Sequence, residues 1–273
     1  MIIPKLTFLM MCRIRTDLKD NSISDIFSFF DSAIKYIPIG ERPLVEFLVK
    51  FDNDDKIAKS FNLNKLYPSL NIRTFTYGRW EGQATNHYHF SYLFSHRNPN
   101  SKYIGFVSDD CQFTRFNINE LIGEYSYFNT KHTLKKLEEF KDYKNNLSWI
   151  TGLNDSYPIM SAKILEITSG IGFQEHIDNW KSLLNLILYS KYKISLSRIW
   201  KPIFKRHNIL PEKLRKDLTW YDWTTGSKFN YDMKLFIEKD KVNSYYFTLV
   251  EKQAHNIYLN LKEDGVLQNY KIK

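Results

Sequence analysis

The chain alternates between short apolar runs of strand length and longer stretches in which apolar residues recur every three or four positions. "LTFLMM" (6–11) is continuously apolar, as a strand covered on both faces should be. In "SISDIFSFFDSAIKY" (22–36), Ile23, Ile26, Phe27, Phe30 and Ile34 fall at helical spacing, and Ser22 with Asp25 resembles a capping-box start. "LVEFLVKF" (44–51) is a second strand running into Asp52, and strand, helix, strand is the unit of parallel sheets. "NIRTFTYG" (71–78) predicts a third strand, followed by a helix over 81–95 with Ala84, Tyr88, Ser91 and Tyr92 on one face. A fourth strand, Tyr103 to Val107, stops on two adjacent carboxylates, Asp109 and Asp110.

Beyond this pair the pattern turns mainly helical. "SAKILEITSGIG" (161–172) predicts a helix ending at Gly170 or Gly172. In "HIDNWKSLLNLILYSK" (176–191), Trp180, Leu183, Leu184, Ile187 and Leu188 share a face, with Asp178 or Asn179 as N-cap. Leu196, Ile199, Trp200, Ile203 and Phe204 continue the helical spacing until Pro202 interrupts it, and "YYFTLVEKQAHNIYLNL" (245–261) forms a last helix. The expected organisation is an α/β domain over 1–178 and a mainly helical region over 179–273 on the acceptor or membrane-surface side.

Composition narrows the class. With 43% hydrophobic and 16% aromatic residues in 273, the chain has the apolar content that disordered chains lack. Its two cysteines, Cys12 and Cys111, have no disulfide or zinc spacing, which fits a reducing, cytoplasmic compartment. The apolar start is split by Pro4 and Lys5 and followed by Arg13 and Arg15, so it reads as a buried strand and not as a secretory signal. The net charge of +9 is concentrated: between Lys191 and Lys216 lie nine Lys or Arg and a single acid, Glu212. That tract, with Tyr192, Trp200 and Phe204 in it, suits an anionic partner, admits a peripheral contact with the anionic inner face of a membrane, and equally suits a solvated face.

The chemistry centres on strand ends. Hard Mg²⁺ or Mn²⁺ takes one or two protein carboxylates together with substrate phosphates, so Asp109 and Asp110 are candidate metal ligands. "FDNDD" (51–55) is not an EF-hand, because in a 12-residue window starting at Asp52 the sixth position is Ile57 where glycine is needed and the twelfth is Leu63 where glutamate is needed. An Asp at a strand end accepts hydrogen bonds from a nucleobase or ribose instead, which makes Asp52 a ligand-binding candidate. Arg13, Arg15 and Arg79 are candidates for phosphate, since guanidinium pairs bidentately with its oxygens. His87 and His89, two apart on a helix, point about 200° apart and cannot share an ion, while His207 sits among Lys205, Arg206 and Asn208.

The order of "LTFLMMCRIR", "EFLVKFDNDD", "EGQATN" and "YIGFVSDDC" resembles the nucleotide-sugar-dependent glycosyltransferases of the GT-A fold, family 2 in particular, over residues 4–115. The resemblance implies a Rossmann-like, mostly parallel sheet flanked by helices with a C-terminal helical extension, Asp52 on the donor's base, and Asp109 with Asp110 on the metal and ribose side. Gly82 and Asn86 would lie by the donor, and an acidic residue after the metal motif would be the catalytic base, here Asp178 or Glu175. Val107 and Ser108 stand where many relatives carry an earlier Asp. The implied activity is metal-assisted transfer from a nucleotide-diphosphate sugar to a saccharide or lipid-linked acceptor. Rival readings are a sugar nucleotidyltransferase, which "MMCRIRTD" disfavours by lacking glycine, a silent carbohydrate-binding relative, and a nucleic-acid-binding protein or nuclease, whose affinity would fall steeply with salt.

Overall fold

The computed structural model describes residues 4–12, 22–55, 58–78, 85–109, 111–118, 148–151, 158–171, 177–192, 197–200, 204–206 and 239–263. Strands β1 (Leu6–Met11), β2 (Val45–Asp52), β3 (Asn71–Tyr77) and β4 (Tyr103–Ser108) lie parallel, with β1 central between β2 and β4. Three more strands extend the sheet beyond β4: β7 (Pro158–Ser161) antiparallel to it, then β6 (Ser148–Thr151) and β8 (Ser197–Trp200), giving the order β3-β2-β1-β4-β7-β6-β8. A separate ribbon joins β5 (Cys111–Phe113) to β9 (Phe204–Arg206).

Both faces of the sheet are covered, as continuous apolar strands require. Phe8, Met10 and Cys12 of the first strand and Phe47, Val49 and Phe51 of the second face helix α1 (Ser22–Tyr36), which answers with Ile26, Phe29, Phe30, Ala33 and Ile37. Phe27 and Ile34 sit at the margin of that stripe, so the buried face is turned relative to the sequence expectation. On the opposite face Leu9, Leu48, Ile104 and Phe106 meet helix α3 (Thr85–Ser95) and three C-terminal helices. These are α4 (Ala162–Thr168), α5 (Ile177–Tyr192) and α6 (Lys239–Glu263). A short α2 (Leu63–Leu66) precedes β3.

Three expectations are corrected. Helix α3 buries His89, Phe90 and Leu93, while Tyr88 and Tyr92 are exposed, because the apolar Phe90, Leu93 and Phe94 form the stripe that fits the sheet. Residues 197–200 and 204–206 are not helical: they form β8 and β9, since Ile199 and Trp200 favour strands; Leu196, Pro202 and Ile203 lie outside the described residues. Finally, α5 begins at Ile177, so Asp178 and Asn179 lie inside its first turn and not at the cap.

A single buried amide ties the C-terminal helices together. Gln253 of α6 accepts from Trp180 Nε1 at 2.8 Å and donates through Nε2 to the carbonyls of Thr168 (2.9 Å) and Gly170 (3.3 Å). Helix α4 ends there as predicted, with Ser169 at φ 55° and Gly170 at φ 102°, and the Gly170 N–H closes on Leu165 O. Among the described residues no helix is long and apolar enough to cross a membrane.

Candidate functional site

Parallel pairing brings the C-terminal ends of the first four strands to one edge of the sheet. In register, Met11 stands between Lys50 on one side and Ser108 on the other, and Asp52 stands beside Tyr77. Asp52 and Asp109 therefore flank Cys12, on strands two spacings or about 10 Å apart. In open α/β sheets this edge is where ligands bind.

Lys50 and Asp52 dominate its electrostatics. Residues two apart on a strand share a face, and the Lys50 ammonium donates to Asp52 Oδ1 in an ion pair whose side chains are only 3% and 7% exposed. The ammonium also lies over the Tyr77 ring, 4.9 Å from its centroid, a cation–π contact from the neighbouring strand. The Tyr77 hydroxyl is 3.3 Å from His89 Nδ1, and its ring packs on Tyr92 at 4.3 Å. Burial, and then the charges of Tyr92 and Asp52, hold the Tyr77 phenol well above its ordinary range.

The turn after β2 is held by Asp55, whose N–H donates to Asp52 O at 3.1 Å and whose Oδ1 accepts from the N–H of Ala58 at 3.0 Å. Asp55 thereby caps a 3₁₀ turn over Ala58–Ser60. Cys12, fully buried, reports the field of the site. Burial raises its thiol pKa, the negative charges of Asp109 and Asp55 raise it further, and Lys50 opposes them. The strand-end carboxylates thus make an acidic locus that suits a cation. Among the described residues no group of three or more His, Cys, Asp or Glu could hold a metal ion.

The sequence-predicted residues divide clearly. Asp52 and Asp109 are placed on the same edge. Asn86 lies in the first turn of α3 and Asp178 in the first turn of α5. Arg13, Arg15, Arg79, Gly82, Asp110, Glu175 and His207 lie outside the described residues. His89 is buried against Tyr77. Sequence reasoning missed Lys50 and Tyr77, although a lysine buried in a mostly apolar strand, two residues before an Asp, is a readable signal. It also missed β9, whose pairing with β5 sets Arg206 opposite Cys111 and Lys205 opposite Gln112. Two residues of the basic tract are thereby carried to the strand that follows the Asp pair.

Against solved structures, the chain is similar to the mannosyltransferase PcManGT from Pyrobaculum calidifontis, solved in complex with GDP-Man and Mn²⁺. The match has a TM-score of 0.51 at 12% identity and covers 98% of this chain and 73% of that one. The fold is that of a GT-A glycosyltransferase. TarS 1–349 from S. aureus also matches this chain, with a TM-score of 0.43, 13% identity, and coverage of 98% and 75%. No protein-family model and no curated protein matches the chain.

Proposed function

We propose that this protein is a glycosyltransferase that moves a sugar from a nucleotide-diphosphate donor to an acceptor hydroxyl. The observation that carries the reading is the convergence of Asp52 and Asp109 at the C-terminal edge of a GT-A sheet, on either side of the central strand. Asp52 accepts hydrogen bonds from the nucleobase. Asp109, with Asp110, holds the diphosphate side of the donor through Mg²⁺ or Mn²⁺, which when bound neutralises charge on the departing diphosphate. Arg13 and Arg79 are candidates for contact with the same phosphates, and Gly82 and Asn86 complete the donor side.

In the reaction the acceptor oxygen forms a bond to the anomeric carbon, the bond from that carbon to the diphosphate oxygen breaks, and the acceptor proton passes to a carboxylate. Asp178 is the first candidate for that base and Glu175 the second. The acceptor is a glycan or a lipid-linked saccharide, the setting cytoplasmic with a peripheral membrane contact, and the division of labour is a donor and catalytic region over 1–178 with an acceptor side over 179–273.

Thermal melting against UDP, GDP and their sugars, with and without Mn²⁺, tests this. A nucleotide at 100 times its Kd adds about 2.7 kcal/mol to the native state. The expected result is a shift with one nucleotide that depends on the metal and is abolished in Asp52→Asn and Asp109→Asn. Stabilisation by short DNA or RNA, with no nucleotide effect, would reject the transferase reading.

A further inference from the structure

Helix α1 carries two serines that its apolar stripe does not call for. Ser28 and Ser32 lie one turn apart on the same side of the helix. Ser32 is buried in the stripe next to Phe29 and Ala33, where alanine would favour the helix more. Both hydroxyls meet β5. Ser32 Oγ accepts the backbone N–H of Phe113 at 2.9 Å while donating to Phe29 O at 2.6 Å, and Ser28 Oγ accepts from the side-chain amide of Gln112. In the turn between α1 and β2, Glu41 Oε2 accepts the N–H of Ile118 at 2.8 Å. Helix α1 and the turn after it therefore grip the backbone of the segment that follows the Asp pair.

Asp109 and Asp110 are the two residues between the end of β4 and the start of β5. The upstream end is fixed, because β4 pairs with β1 up to Met11↔Ser108 and with β7 on its other side. A two-residue connection has few conformations, and the place of β5 selects among them. We propose that Ser32, supported by Ser28, is a positioning residue for the Asp109–Asp110 turn, and through that turn for the divalent ion and the donor diphosphate. The inference rests on the nucleotide-sugar reading of the site. The Phe113 ring is anchored among Phe8, Phe29 and Phe116. Apolar burial is non-directional, however, whereas the hydrogen bond to Ser32 fixes the backbone to which the turn is joined.

The test is calorimetry of UDP and GDP binding, each with Mn²⁺ and with EDTA, on wild type, Ser32→Ala, Ser32→Thr, Ser28→Ala and Thr168→Val. It reads the factor by which the metal strengthens nucleotide binding. Thr168→Val removes a buried hydroxyl of α4 on the opposite face of the sheet and controls for lost stability alone. Ser32→Ala is expected to cut the metal's factor about tenfold, the scale on which a group that orients metal ligands acts, and to leave affinity in EDTA within about twofold of wild type because Asp52 is untouched. Ser32→Thr keeps the hydroxyl and restores most of the factor, and Thr168→Val keeps the wild-type value. A wild-type factor in Ser32→Ala, or an equal loss in Thr168→Val, overturns the proposal. Nucleotide binding by wild type that does not respond to Mn²⁺ instead overturns the metal-assisted donor reading itself. If Ser32→Ala does not fold, Ser28→Ala decides: a wild-type factor there overturns the proposal.

Discussion

Gly105 offers a sharp test of the sheet geometry. It is the register partner of Phe8 on the neighbouring strand, and a Cβ added to it would lie 2.3 Å from both Cδ1 and Cε1 of the Phe8 ring. Carbon atoms rest at about 3.5–4.0 Å, so the ring must retreat by more than about 1 Å. It has little room to do so: Phe8 is fully buried, stacked on Phe47 at 5.5 Å and edge-on to Phe113 at 5.7 Å. Overpacking of a core by a methyl group costs about 1–3 kcal/mol, against which the reduced freedom of the unfolded alanine chain returns about 0.4–1 kcal/mol. We expect Gly105→Ala to lose about 1 kcal/mol in urea denaturation and to lower Tm by about 2–4 °C for a chain of this size. Gly40→Ala and Gly78→Ala are internal controls, because a Cβ at either position meets nothing within 4 Å, and should stay within about 0.5 kcal/mol of wild type. Phe8→Leu/Gly105→Ala should be less destabilised than the sum of its single variants, since truncating the ring opens the space the methyl group needs. A Gly105→Ala protein as stable as the two controls would refute the close approach of β1 and β4.

Gln253→Met should cost about 2–4 kcal/mol in the same assay, because it removes the buried partner of the Trp180 N–H and of the Thr168 carbonyl, while the Gly170 carbonyl keeps the Thr168 hydroxyl. Cys12 should resist alkylation in the folded protein at pH values where an ordinary thiol reacts, since burial and the neighbouring carboxylates hold it protonated; rapid labelling under native conditions would contradict its placement. Tyr77 titrates above its unfolded value, so its contribution to stability is complete below about pH 10 and is lost as the pH rises beyond that. Tyr77→Phe should therefore flatten the alkaline limb of a stability–pH profile, and an unchanged limb would argue against the buried phenol.

The parallel half of the molecule was legible because each of its strands carries its own signal. "LTFLMM", "VEFLVKF" and "YIGFV" are apolar enough to be buried on both faces, and the polar residues that end them mark the functional edge without knowledge of their neighbours. The reversed strand β7 and its partners were not legible, because four-residue segments such as "SWIT" and "PIMS" acquire their identity from the strands they pair with. The same is true of β9, whose sequence "FKR" gives no hint that it will lie beside Cys111. At the site, Asp52 was read correctly as a strand-end carboxylate, whereas its pairing with Lys50 depends on the face the two share and on the Tyr77 ring that closes over them.

The placement of α6 bears on how the protein is made. Its Val250, Ala254, Ile257 and Leu261 finish the cluster that holds Leu9, Phe106, Trp180 and Leu184, so the second face of the sheet stays incomplete until a helix that begins at Lys239 has been synthesised. Between the end of α5 and Val250 of α6 lie about 60 residues, or roughly 3–12 s of translation at ordinary speeds. During that interval a nascent chain whose first core, around α1, is ready to fold presents the apolar flank of α5 to the cytosol. Ribosome-bound intermediates stalled before Lys239 should accordingly depend on a holding chaperone, and those stalled well after Glu263 should not.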